Sequence, residues 1–162
     1  MRLLRWLMIL LIPALSFPYW LEFEASNTVE LNWVSAAIEY HYMEIGRESR
    51  GVLNLYIENT SASALSLTGI DSPWDFRVVP SSPLELPLVI PPGMEISLMA
   101  FSEPMDGEVV LGFDRGELSI PLRVEEEYRE KKREMILRRL KLMVTLAVAF
   151  LMVRMIGGMV GK

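Results

Sequence analysis

An all-β domain, a sandwich of about seven or eight short strands, is predicted by three features of this sequence. Apolar residues alternate with period two over residues 28–124. Turn-forming clusters recur about every 8–12 residues, the spacing of sandwich strands rather than of βαβ units. No helical period begins before residue 125.

The strands read off in order. Val29, Leu31 and Trp33 share one face; Ile38, Tyr40 and Tyr42 share another, with Glu39, His41 and Met43 opposite. Leu53, Leu55 and Ile57 alternate with Asn54, Tyr56 and Glu58 and run into a small-residue turn at 59–63. Leu65 and Leu67 follow, then a corner at Asp71-Ser72-Pro73, then Trp74, Phe76 and Val78. Between Pro80 and Gly93 the prolines are too dense for a central strand, because proline lacks the ladder N–H, so this stretch is an edge or a connector between sheets. Ile96, Leu98 and Ala100 form a later strand. Val109, Leu111 and Phe113 lead through Asp114-Arg115-Gly116 into Leu118, Ile120, Leu122 and Val124, a hairpin with a three-residue connection and glycine in the left-handed position.

Both ends of the chain read as membrane segments. MRLLR followed by apolar Trp6 to Ile12 and then Pro13-Ala14-Leu15-Ser16 matches a basic n-region, an h-region and a small-x-small cleavage pair. Uncleaved, the segment is a short anchor extended by Tyr19 and Trp20 as an interfacial belt. Near the other end, LMVTLAVAFLMV (142–153) continues past Arg154 to Val160, which predicts a transmembrane helix with Arg154 snorkelling to the cytoplasmic headgroups. Between domain and anchor, Glu125/Arg129, Glu127/Lys131 and Glu134/Arg138 are acid-first i,i+4 pairs, so one helix is expected from about Glu125 to about Ile156, lifting the β domain off the bilayer. The expected divisions are 1–19 (signal peptide or N-terminal anchor), 20–124 (β-sandwich), 125–141 (charged juxtamembrane helix) and 142–160 (transmembrane helix).

Charge is segregated along the chain. Residues 1–16 carry +2, residues 17–122 carry −12 and residues 123–162 carry +5. An acidic body argues against nucleic-acid binding. The basic residues Lys131, Lys132, Arg133, Arg138, Arg139 and Lys141 form a solvated stalk, or grip anionic headgroups or a partner subunit. Positive-inside reasoning would place them in the cytoplasm, whereas the N-terminal signal exports the domain; the exported orientation is the expectation because that signal acts first and glutamates dilute the cluster.

Candidate chemistry is sparse. The absence of cysteine removes disulfides, thiolate metal sites and cysteine nucleophiles. His41 is the only imidazole, so a histidine cluster is impossible, and no glycine-rich phosphate cradle or G-x-S-x-G elbow is present. These readings lead to no catalytic residue, no cofactor, no metal and no small-molecule substrate. Asn59-Thr60-Ser61 is an N-glycosylation acceptor triplet in an expected exposed turn. Seventeen glutamates against four aspartates, with no glutamine, point to a thermophilic source.

The order "VLNLYIENTS", "LTGIDSPWDF", "IPPGMEISLMAF", "GEVVLGF", "GELSIPLRV" resembles the immunoglobulin-like domains of exported, membrane-anchored prokaryotic surface proteins. The resemblance covers residues 51–124 and lacks the antibody-type Cys…Trp…Cys core. It implies an immunoglobulin-like sandwich with a structural or adhesive habit and transfers no site residue. The expected function is therefore a non-enzymatic extracytoplasmic module tethered to the lipid bilayer, with an unidentified protein partner. The alternative is an accessory subunit of a secretion, filament or transporter complex, in which Arg154 pairs with an intramembrane acid.

Overall fold

Alternation decides which residues leave water. In the computed structural model, which describes residues 19–78 and 82–160 apart from the side chains of 153 and 156–160, the strands build two antiparallel sheets. β1 (Trp20–Leu31), β2 (Val34–Ile45), β3 (Glu48–Glu58), β7 (Glu95–Phe101) and β5 (Arg77–Val78) form a five-stranded sheet in the order β1-β2-β3-β7-β5. β6 (Leu88–Ile90), β4 (Leu65–Asp71), β8 (Gly107–Phe113) and β9 (Gly116–Leu122) form a four-stranded sheet in the order β6-β4-β8-β9. The core is made by one face of each. Ile38, Leu53, Leu55 and Ile57 from the first sheet and Leu65, Leu67, Leu111 and Ile120 from the second are all fully buried.

Three local expectations change. A first strand read from Val29 in fact begins at Trp20: Leu21 and Phe23 are buried between exposed Glu22 and Glu24, an alternation concealed by weak strand formers such as Ser26 and Asn27. Trp74 and Phe76 are core residues but lie in the irregular loop between β4 and β5, and only Arg77–Val78 pairs as strand. The β8–β9 connection is a two-residue loop, Asp114-Arg115, because Phe113 pairs directly with Gly116. The proline-dense stretch behaves as expected: it carries the chain from β5 in one sheet to the edge strand β6 of the other.

Two turns show how sequence sets register. Gly46 opens the two-residue β2–β3 turn with φ +65°, a backbone that L side chains rarely adopt, and so fixes Ile45 opposite Glu48. Pro91-Pro92-Gly93 forms a turn closed by Met94 N–H donating to the Pro91 carbonyl, with Gly93 at φ +68°, the proline–glycine signature of type II.

After β9, α1 (Glu125–Val160) runs 36 residues. The described residues fall into two compact units, Trp20–Arg129 and one that takes Tyr19 together with the helix from Glu130 on. The first helical turn therefore belongs to the β unit, a boundary about one turn later than the sequence suggests.

The transmembrane helix expected over 142–160 needs correction at this level: among the described residues, no helix is long and apolar enough to cross a membrane. The apolar run with described side chains ends at Met152. Eleven residues at ~1.5 Å each cover about half of a ~30 Å hydrocarbon layer. The segment expected as signal peptide or N-terminal anchor, residues 1–18, lies outside the described residues.

Candidate functional site

The root of α1 is held by groups from distant parts of the β unit. Asp106, in the loop before β8, accepts from the backbone N–H of Val124 (2.7 Å) and of Glu125 (2.9 Å) through Oδ1. These amides begin the helix and lack intrahelical partners, so a carboxylate there acts as a cap lent by another loop. The N–H of Glu125, the N–H of Val124 and the nearby Arg123 guanidinium (3.6 Å) hold the Asp106 carboxyl below its ordinary range.

One turn on, Tyr128 packs its ring against Phe23 (6.1 Å between centroids) and edge-on against Tyr42 (5.4 Å). Its hydroxyl and that of Tyr42 both donate to Glu44 Oε2, at 3.4 Å and 3.2 Å. Glu44 is a buried carboxylate at 7% exposure, tolerable because charge-assisted hydrogen bonds replace its water. Burial, then the Glu44 charge, pushes the Tyr42 hydroxyl well above the usual tyrosine range, so it stays protonated and keeps donating. The pattern Glu44…Tyr128 has no local sequence signal, since the partners are 84 positions apart.

The outward face of the five-stranded sheet carries an open hollow of about 780 Å³, lined by Glu22, Glu24, His41, Met43, Arg50 and Val52 among others. His41 donates from Nδ1 to Glu24 Oε1 (3.1 Å) and lies 3.8 Å from Glu39. Beside Val52 in register stands Phe101, 65% exposed. A histidine between two carboxylates on an open sheet is a surface network. Among the described residues, no group of three or more histidine, aspartate or glutamate side chains is placed to hold a metal ion.

The residues singled out in sequence fall elsewhere. Lys131, Arg133, Arg138, Lys141 and Arg154 are exposed along α1, whereas Lys132 and Arg139 are half-buried. The Arg139 guanidinium lies over the Tyr19 ring, 5.1 Å from its centroid. Of the expected i,i+4 pairs, Glu125–Arg129 closes at 2.7 Å.

Asn59 overturns its expectation. It is fully buried, and its Nδ2 donates to the carbonyls of Ser63 and Ile90, both at 2.8 Å. Its Oδ1 accepts from the Ser61 N–H (3.0 Å) and hydroxyl (2.7 Å), and its backbone bonds Met94 and Gly93. The nitrogen a glycan would occupy has both hydrogens committed and no open side. Asn59 is the structural hub joining the end of β3 to the β6–β7 turn.

Comparison with family models, with curated proteins and with solved structures gave no match.

Proposed function

We propose that this chain is a non-enzymatic, membrane-anchored module whose immunoglobulin-like β-sandwich stands on the extracytoplasmic side of a bilayer. The observation that carries the reading is the surface of α1 beyond the β unit. Leu137, Leu140, Leu142, Val144, Leu146, Leu151, Met152 and Met155 are each about half exposed. Consecutive and near-consecutive positions such as Leu151 and Met152 point to different sides of a helix, so one protein face cannot cover them all. A lipid environment removes that apolar surface from water without a partner chain.

The sequence past Met152 supports the same reading, since it stays apolar to Val160 except for Arg154. The basic residues from Lys131 to Lys141 then lie at the headgroups on the domain side, and Arg154 snorkels toward headgroups with its long side chain. Arg2 and Arg5 ahead of an apolar run supply the export orientation.

A second reading, accessory subunit of a membrane complex, is favoured by one observation: Val52 and its register partner Phe101, 65% exposed, form an apolar strip at the hollow on the outward sheet face, which Met43 also lines. Protein partners bury such strips. Under that reading Arg154→Leu breaks assembly, whereas under the first it is harmless.

Protease added to intact cells tests the first reading. Cleavage within residues 20–120 while a cytosolic control survives is the expected result. Full protection in intact cells with cleavage only after lysis would reject the extracytoplasmic placement.

A further inference from the structure

We infer that one side of α1 binds a single anionic phospholipid, with its phosphate on Arg138 and Lys141 and one acyl chain along Leu140, Val144, Val148 and Leu151. The inference rests on the membrane-anchored reading above and names the lipid that this part of the helix takes.

Helical spacing sorts the residues into two adjacent rows. Leu137, Leu140 and Val144, three and four positions apart, form one row along α1. Glu134, Arg138, Lys141 and Thr145, at spacings of four, three and four, form the next. Among the described residues, these two rows line an open hollow of about 560 Å³. The apolar row continues past the hollow through Val148 and Leu151, both about half exposed. From Leu140 to Leu151 the helix rises ~16 Å, close to the ~15 Å of one leaflet in a ~30 Å hydrocarbon layer.

The polar row has the chemistry of a headgroup site. The Cα–Cβ bonds of a helix tilt toward its N-terminus, so the long side chains of Arg138 and Lys141 reach back from the apolar run toward water. Both are exposed, and among the described residues no ion pair holds either one. A guanidinium and an ammonium about one turn apart offer a planar fork and a point charge to the same phosphate. Arg139 points elsewhere, over the Tyr19 ring. Thr145 donates its hydroxyl to the Lys141 carbonyl (2.9 Å), so it brings no unsatisfied donor to the start of the acyl region.

Charge selects the lipid. A zwitterionic head brings its own cation beside Arg138 and Lys141, where like charges repel, whereas an anionic phosphodiester does not. Glu134, one turn before Arg138 in the same row, accepts from head hydroxyls. The best fit is therefore an anionic lipid with a hydroxylated head, the chemistry of phosphatidylglycerol.

The chain has no cysteine, so single labels report one place each. Val148→Cys lies in the acyl row, and Leu146→Cys lies on the other side of the helix at nearly the same depth. The full-length variants carry bimane in phosphatidylcholine vesicles doped with acyl-chain spin-labelled phosphatidylglycerol or, separately, spin-labelled phosphatidylcholine. The expected result is several-fold stronger quenching at 148 by the phosphatidylglycerol probe, with both probes quenching 146 equally. Adding Arg138→Gln and Lys141→Gln should abolish the preference at 148, and excess inorganic phosphate in the buffer should leave it unchanged. Equal quenching of 148 by the two probes would overturn the inference and leave the anchor intact. The same preference at 146 and 148 would overturn the site in favour of a diffuse attraction. Loss of the preference with inorganic phosphate would overturn the part given to the acyl chain. No quenching of either label by either probe would overturn the inference and the anchored reading together.

Discussion

The β unit and the helix beyond Glu130 are both rich in aliphatic residues, yet they treat them oppositely. Leu53, Leu55 and Ile57 of β3 are fully buried, whereas Leu137, Leu140 and Val144 of α1 are each more than half exposed. Apolar content alone therefore does not locate a core; the period does. Period two lets a strand turn one row inward and leave the other polar, while an all-round apolar helix has no inward side of its own. The first unit carries its own apolar environment. The second leaves most of its aliphatic side chains exposed, which is the physical basis for the proposal that lipid surrounds it.

Substitutions that respect this contrast should separate the two units. The largest effect is expected at Gly51. A Cβ there would strike the Ser102 carbonyl oxygen and the Tyr40 hydroxyl, so Gly51→Val should leave the β unit unable to close, read as loss of the cooperative thermal transition. Leu55→Ala, a truncation at a fully buried site, should destabilise by about 2–5 kcal/mol. The matched truncation Leu140→Ala, at a half-exposed helical site, should leave that transition within about 0.5 kcal/mol. Equal losses at the two positions would erase the comparison.

Asn59→Ala removes a buried amide that satisfies three backbone partners and a hydroxyl, and should cost about 1–3 kcal/mol by denaturant unfolding. The wild-type chain produced in a glycosylating host should show an intact mass without a glycan. At the root of α1, Asp106→Ala should cost about 0.5–2 kcal/mol. Because the folded state lowers the Asp106 carboxyl below its unfolded value, this contribution is complete above the ordinary carboxylate range, ~3.9. It is lost as pH falls through the lowered value. Acid unfolding of Asp106→Asn should accordingly be less steep than that of the unmodified chain over that window.

Much of the β unit was legible because its strands announce themselves two residues at a time. Ile38, Tyr40 and Tyr42, and likewise Val109, Leu111 and Phe113, read inward and are buried. Failures came where a residue's role is set by something distant. Asn59 has an acceptor motif in three consecutive letters, but its burial depends on Ile90 and Met94 across the turn. Trp74 alternates like a strand residue, yet its Nε1 donates to Ser102 Oγ (3.0 Å) from a turn. The Glu44–Tyr42–Tyr128 cluster and the Asp106 cap join partners that no local window contains.

The claim on which the account turns is that lipid is the solvent of α1 beyond the β unit. Flotation of the full-length chain with phosphatidylcholine vesicles in a density gradient after an alkaline carbonate wash tests it most directly. The chain is expected to rise with the vesicles and to stay with them through the wash. Recovery of a monodisperse, folded chain at the bottom of the gradient, with helical content intact and no detergent present, would contradict the account.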